Sequence, residues 1–163
     1  MPVTYEPLAT ITLNSAQTDV TFSSISSSYT DLILVADYIT STTTESLNLR
    51  FNSDTSSNYS RTQLYGTGST AGSNRGSSET SLSAIYGGAT ARANSTIHIM
   101  NYANTTTHKS VIYRINDTAN LALVGAGIWR KAPEAINTIL IFSPTSNNIA
   151  SGSTFTLYGI KAA

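Results

Sequence analysis

Apolar and polar residues alternate in short runs along the chain, and turn-forming residues separate the runs. Leu8 to Leu13 and Asp19 to Ser23 read as the first two strands, with Asn14-Ser15-Ala16-Gln17 as a hairpin-like turn between them. Asp31 to Tyr38 is almost wholly apolar in its middle, the pattern of a central strand or one buried on both faces. Ser46 to Asn52 gives the clearest alternation: Leu47, Leu49 and Phe51 point inward, Asn48 and Arg50 outward. Further strands are predicted at Tyr59–Tyr65, Leu82–Tyr86, Ser95–Tyr102, Ser110–Asn116, Leu121–Arg130 and Ile136–Phe142. The turn Ala150-Ser151-Gly152-Ser153 leads into a last strand, Thr154–Ile160. The chain stops shortly after it, as expected of a finished sandwich.

No stretch of a dozen residues sustains a helical apolar period. The best helical candidate is a single turn at Lys131–Asn137, entered through Pro133. About ten short strands without a long helix define an all-β class. The expected architecture is an antiparallel β-sandwich, jelly-roll-like rather than immunoglobulin-like, because the strands outnumber the seven to nine of the latter. One domain is expected over residues 8–163. Residues 1–7, with Pro2, Pro7 and Glu6, suit neither a regular helix nor a central strand and read as an extended arm. Gly66–Thr80 has no apolar face and reads as a loop, mobile or held by a partner. In Leu121–Arg130 the residues Leu121, Leu123, Gly125, Gly127 and Trp129 share a face. The two glycines leave a groove, filled either by aromatic side chains of the facing sheet or by a ligand.

Composition sharpens the picture. Nine basic residues balance nine acidic ones, and only 11% of residues are charged, well below the usual share of about 25%. Instead 24 Ser and 25 Thr make a hydroxyl-rich, neutral surface. Arginines are scattered singly, apart from Arg130-Lys131, so nucleic-acid binding is not expected. There are no cysteines, which excludes disulfides and thiol chemistry. No run of 18 apolar residues appears, and the N-terminus lacks the basic and apolar regions of a signal peptide. No membrane span is expected, and synthesis and use in the cytoplasm are.

Catalytic chemistry finds no motif. His98 alternates with Ile97 and Ile99, and His108 follows a run of threonines; neither has the spacing of a metal site or triad. The sparse carboxylates fall mostly in predicted turns and strand edges, and none is nominated as an acid–base pair or a calcium loop. Gly66-Thr67-Gly68 to Gly72 superficially resembles a phosphate loop, but no helix follows it. Asn-x-Ser/Thr triplets at Asn58, Asn94, Asn104 and Asn116 are expected by chance in so hydroxyl-rich a chain. The reading is non-enzymatic, without metal or cofactor. Tyr29, Tyr38, Tyr113 and Tyr158 read as core or rim. Tyr59, Tyr65, Tyr86 and Tyr102 lie near loop ends, where aromatic rings suit protein interfaces or sugar stacking.

Several segments resemble a family of small jelly-roll virion proteins of tailed bacteriophages. They are Tyr29–Val35, Leu49–Ser60, Leu64–Ser73, Gly127–Ile139 and the closing Ala150–Ile160, and together they span most of the chain. The resemblance implies a capsid cement or decoration protein on the virion surface. It would be made in the host cytoplasm and bound to the major capsid protein and to itself, as a homotrimer. The competing implication is a receptor- or glycan-binding module of a tail fibre or tailspike. A lone domain beginning at Met1 favours the first. The expected partner contacts are Pro2, Val3, Tyr5 and Pro7 in the arm, Thr67, Ser69, Asn74 and Arg75 in the Gly66–Thr80 loop, and Tyr65 and Tyr86 flanking it.

Overall fold

The computed structural model describes residues 4–40, 45–87 and 91–161. These form twelve strands, and no helix occurs among them. In chain order they are β1 (Tyr5–Thr12), β2 (Asp19–Phe22), β3 (Asp31–Tyr38), β4 (Glu45–Phe51), β5 (Tyr59–Thr67) and β6 (Ala71–Glu79). The second half holds β7 (Leu82–Gly87), β8 (Ala93–Met100), β9 (Lys109–Asp117), β10 (Leu121–Trp129), β11 (Ile139–Phe142) and β12 (Thr154–Ile160). An eight-stranded sheet runs β1-β12-β3-β8-β9-β10-β5-β6, and a four-stranded sheet runs β2-β11-β4-β7. All pairings are antiparallel.

Setting aside β5, β6, β9 and β10 leaves two four-stranded layers, β1-β12-β3-β8 and β2-β11-β4-β7. The chain alternates between them until β4 and β7, which lie side by side, and alternates again after β7. That is the strand order of a jelly roll, which matches the expected architecture. The two remaining hairpins, β9–β10 and β5–β6, widen the first layer past β8. The inner faces meet in one core. Leu47, Leu49 and Phe51 are fully buried there against Leu32, Leu34, Ile97, Ile99 and Phe155. Burying each such side chain is worth about 1.5–3 kcal/mol. Phe51, Tyr59 and Trp129 form an aromatic cluster, with Phe51 5.6 Å edge-on to Trp129 and Tyr59 6.3 Å stacked on it.

Four local expectations differ from the structure, and that for β3 is met. Asn14–Gln17 is not a hairpin turn: β1 and β2 lie in opposite sheets, so the segment crosses the sandwich. Lys131–Asn137 contains no helical turn; Asn52 there accepts from the backbone N–H of Asn137 at 2.9 Å and donates to the Ala135 carbonyl. β3 is central, one of the two readings of its apolar run, and its side chains alternate, with Val35 on the open side. Gly66–Thr80 is not a loop: Ala71–Glu79 is a strand paired with β5 through a tight turn at Thr67–Thr70, where Gly68 has φ +72°. Of the arm expected over residues 1–7, Tyr5, Glu6 and Pro7 belong to edge strand β1, opposite Ile160, Gly159 and Tyr158. Pro7 sits at an edge and beside a register shift, the positions where a residue without an N–H is tolerated. Pro2 and Val3 lie outside the described residues.

Candidate functional site: a polar cleft beside an open sheet edge

The added hairpins carry the wide sheet past β7, the edge of the small sheet. A cleft of about 330 Å³ lies there, lined by Ser46, Arg61, Gln63, Tyr65, Thr67, Asn74, Ser83, Tyr86, Leu121 and Leu123. Alternation on β5 supplies the floor: Arg61, Gln63, Tyr65 and Thr67 all face inward, opposite Gly127, Gly125, Leu123 and Leu121 of β10. On the other side of β5, Gly76, Asn74 and Gly72 of β6 stand opposite Arg61, Gln63 and Tyr65.

A polar relay crosses this floor. Glu79 grips Arg61 in a fork, at 3.1 Å to Nε and 3.2 Å to Nη2. Arg61 Nη1 donates to Gln63 Oε1 at 2.7 Å, and Gln63 Nε2 donates to the Ser83 carbonyl on β7 at 3.0 Å. The relay ties the added hairpin to the small sheet and is largely shielded, with Gln63 only 7% exposed. Glycines make room for it. A Cβ on Gly76 would meet Glu79 Oε1 at 2.1 Å, and one on Gly72 would meet the Tyr65 ring at 2.8 Å. Tyr65 thus lies across an edge glycine, a known way of protecting such a site.

Four of the expected contact residues, Tyr65, Thr67, Asn74 and Tyr86, come together in this cleft. The others do not. Ser69 is exposed in the β5–β6 turn, and Arg75 lies on the opposite face of β6 with Arg130, Thr62 and Ala126. Pro7 lines a separate hollow of about 410 Å³ where the edges β1 and β2 diverge. Tyr5 is exposed on β1. The sequence reading missed Arg61, Gln63 and Glu79. Arg61 and Gln63 alternate with outward residues in a strand, and that period was their only signal. Tyr59 and Tyr102, read as loop-end rings suited to protein interfaces or sugar stacking, are fully buried.

The glycine face of β10 is packed. A Cβ on Gly125 would meet the Tyr113 ring at 2.4 Å, and one on Gly127 would meet Leu82 Cδ1 at 2.5 Å. One filler is aromatic but comes from the adjacent strand β9; the other comes from the facing sheet and is aliphatic. Burial pushes the Tyr113 phenol up to about 12.

Among the described residues no layer covers the outer face of the eight-stranded sheet. It is roughly 34 Å across at the normal strand spacing. Leu64, Ile112 and Val124 are 60%, 54% and 54% exposed there, on the neighbouring strands β5, β9 and β10. Val124 faces Leu64 and Arg114 directly. A shallow hollow of about 550 Å³ is lined by Leu64 and Val124 together with Ala71, Arg114, Asn116 and Ala122, with Ile112 outside it. On the same sheet His98 Nε2 lies 2.8 Å from Asp31 Oδ2, whose other oxygen accepts the Asn101 N–H at 2.6 Å. Among the described residues no cluster of His, Asp and Glu could hold a metal ion, and no helix is long and apolar enough to cross a membrane.

No family model matches the chain, and no curated protein matches it in sequence. Among solved structures it is similar to the PL-14 alginate lyase of Aplysia kurodai, at 11% identity over 83% of this chain and 70% of that one, with a TM-score of 0.33. It is also similar to the galectin LEC-6 of Caenorhabditis elegans, at 8% identity over 94% and 96%, with a TM-score of 0.36. Such low identities and scores carry no activity over to this chain. The class defined by its own strand order is an antiparallel jelly-roll sandwich with a hairpin extension.

Proposed function

We propose that the protein is a non-enzymatic virion structural protein of the capsid cement type. It docks on the shell formed by the major capsid protein and associates with copies of itself, as a trimer. The observation that carries this reading is the bare outer sheet face, with Leu64, Ile112 and Val124 more than half exposed on three adjacent strands. Contiguous exposed apolar groups of this kind mark interaction surfaces. The resemblance of Tyr29–Val35, Leu49–Ser60 and the closing strand to phage virion proteins points the same way. A chain with no net charge lets such a face approach a partner without long-range repulsion. Docking needs no reactive group.

Labelled protein imaged on purified virions tests the location, and heating virions with and without the protein tests the role. Head labelling and lost heat resistance without the protein are expected. Ile112→Asp with Val124→Asp should abolish shell binding and leave the monomer folded, since both side chains already face solvent. Tail labelling, or unchanged heat resistance, overturns the reading.

A further inference from the structure

The cleft beside β7 suits a ligand: it lies apart from the exposed Leu64, Ile112 and Val124, although Tyr65, Thr67, Asn74 and Tyr86, expected as partner contacts, line it. We propose that it binds a neutral oligosaccharide, with Tyr65 and Tyr86 offering ring surface and Asn74 and the unused N–H groups of Arg61 offering hydrogen bonds to sugar hydroxyls.

Three features select this class. The volume, about 330 Å³, falls within the range of small-ligand sites. A second hollow of about 510 Å³ adjoins it through Ser46, Arg61 and Ser83, so the groove accommodates more than one ring. The lining is mixed: Leu121, Leu123 and the two half-buried tyrosines supply apolar surface, while amides and hydroxyls supply directional groups. A pyranose has the same division, with an apolar C–H face and a rim of hydroxyls.

Charge then narrows the choice. Among the described residues Arg61 is the only cationic side chain lining the cleft, and Glu79 already neutralises it through the fork. A phosphate, sulfate or uronate would find no net positive field. Neutral hydroxyls would find preset donors. A guanidinium has five N–H groups, and the relay occupies three of those on Arg61. Gln63 is held by bonds at both ends of its amide, so it presents a fixed orientation. Asn74 is exposed at the rim, free to contact a second ring. Asn48, in the adjoining hollow, donates to Ser81 but keeps its Oδ1 buried without a partner. A hydroxyl admitted by a small side-chain movement would satisfy it.

An array of immobilised neutral, sulfated and uronic-acid oligosaccharides identifies the ligand, and calorimetric titration of the strongest binder follows. A neutral glycan is expected, with Kd raised about tenfold by Tyr65→Ala and by Asn74→Ala. Asp19→Asn, on the distant strand β2, should leave Kd unchanged. Asn74 is exposed, so its variant decides the matter even if Tyr65→Ala loosens the sheet. Absence of any glycan binding, binding of acidic glycans alone, or an unchanged Kd in Asn74→Ala overturns the inference. None of these outcomes bears on head labelling or heat resistance, so the docking role stands or falls separately.

Discussion

At Asp54 one buried carboxylate accepts hydrogen bonds from the Trp129 indole at 2.7 Å, the Asn58 amide at 2.8 Å and the Ser56 backbone at 3.0 Å. Burial opposes its charge, but these bonds together outweigh burial and hold the carboxyl below its ordinary value of 3.8. Its stabilising contribution is therefore present above about pH 4 and lost as pH falls through the lowered folded value. Asp54→Ala should cost about 3 kcal/mol, because Trp129 Nε1 is left buried without an acceptor. Urea denaturation at neutral pH measures it, and a loss below about 1 kcal/mol would show that water replaces the carboxylate. Lys109 has a comparable task. It is 1% exposed and donates to the Asn104 and Thr107 carbonyls at 2.5 and 2.8 Å, closing the loop before β9.

Among the elements, β10 and β6 show opposite ways of making a strand. β10 packs glycines under neighbouring side chains, with Leu82 pressed on Gly127. Leu82 is buried, so it has nowhere to retreat. Gly127→Ala should destabilise by about 1–3 kcal/mol, read as a lower urea midpoint with an unchanged slope. Gly72→Ala should do less, since the Tyr65 ring that it meets is half-exposed and can swing aside. β6, Ala-Gly-Ser-Asn-Arg-Gly-Ser-Ser-Glu, has no apolar face at all. It is ordered by its backbone ladder to β5 and by the Arg61–Glu79 fork. Hydrophobic periodicity is blind to such an edge strand, which is why it reads as a loop. The alternation in β4 and β12, in contrast, reports burial directly, and those strands are legible almost to the residue.

For the whole molecule, four buried tyrosines set the alkaline limit, and burial raises the Tyr102 phenol as it does the other three. Burial raises the phenols of Tyr38 and Tyr59 far above the ordinary 10.0, and that of Tyr113 to about 12. A raised folded value means the neutral phenol is the stable form inside. The contribution is complete below about pH 10 and is lost as pH rises towards the folded values. The melting temperature should fall steeply between roughly pH 10 and pH 12, together with the appearance of tyrosinate absorbance. Ionisation of the whole set of nine tyrosines, not only of exposed ones such as Tyr5, without loss of the fold would contradict the burial of these rings.

The alternation of side chains along the chain, by itself, determined an all-β sandwich, most strand positions, and the inward set Leu47, Leu49 and Phe51. A period of two places each side chain on a face, and burial follows from the face. Tyr65 and Tyr86 stand out in the sequence only as aromatic rings near loop ends, and Thr67 and Asn74 only through a loop reading that strands β5 and β6 replace. Tertiary structure alone decided which strands became neighbours. The crossing at Asn14–Gln17, the extension of one sheet by two hairpins, and the meeting of Arg61 with Glu79 all depend on pairing between distant segments. Local pattern carries no information about strand order, because any strand with one apolar face can pair with several others. Only packing of the two layers into a shared core selects the arrangement that makes the cleft.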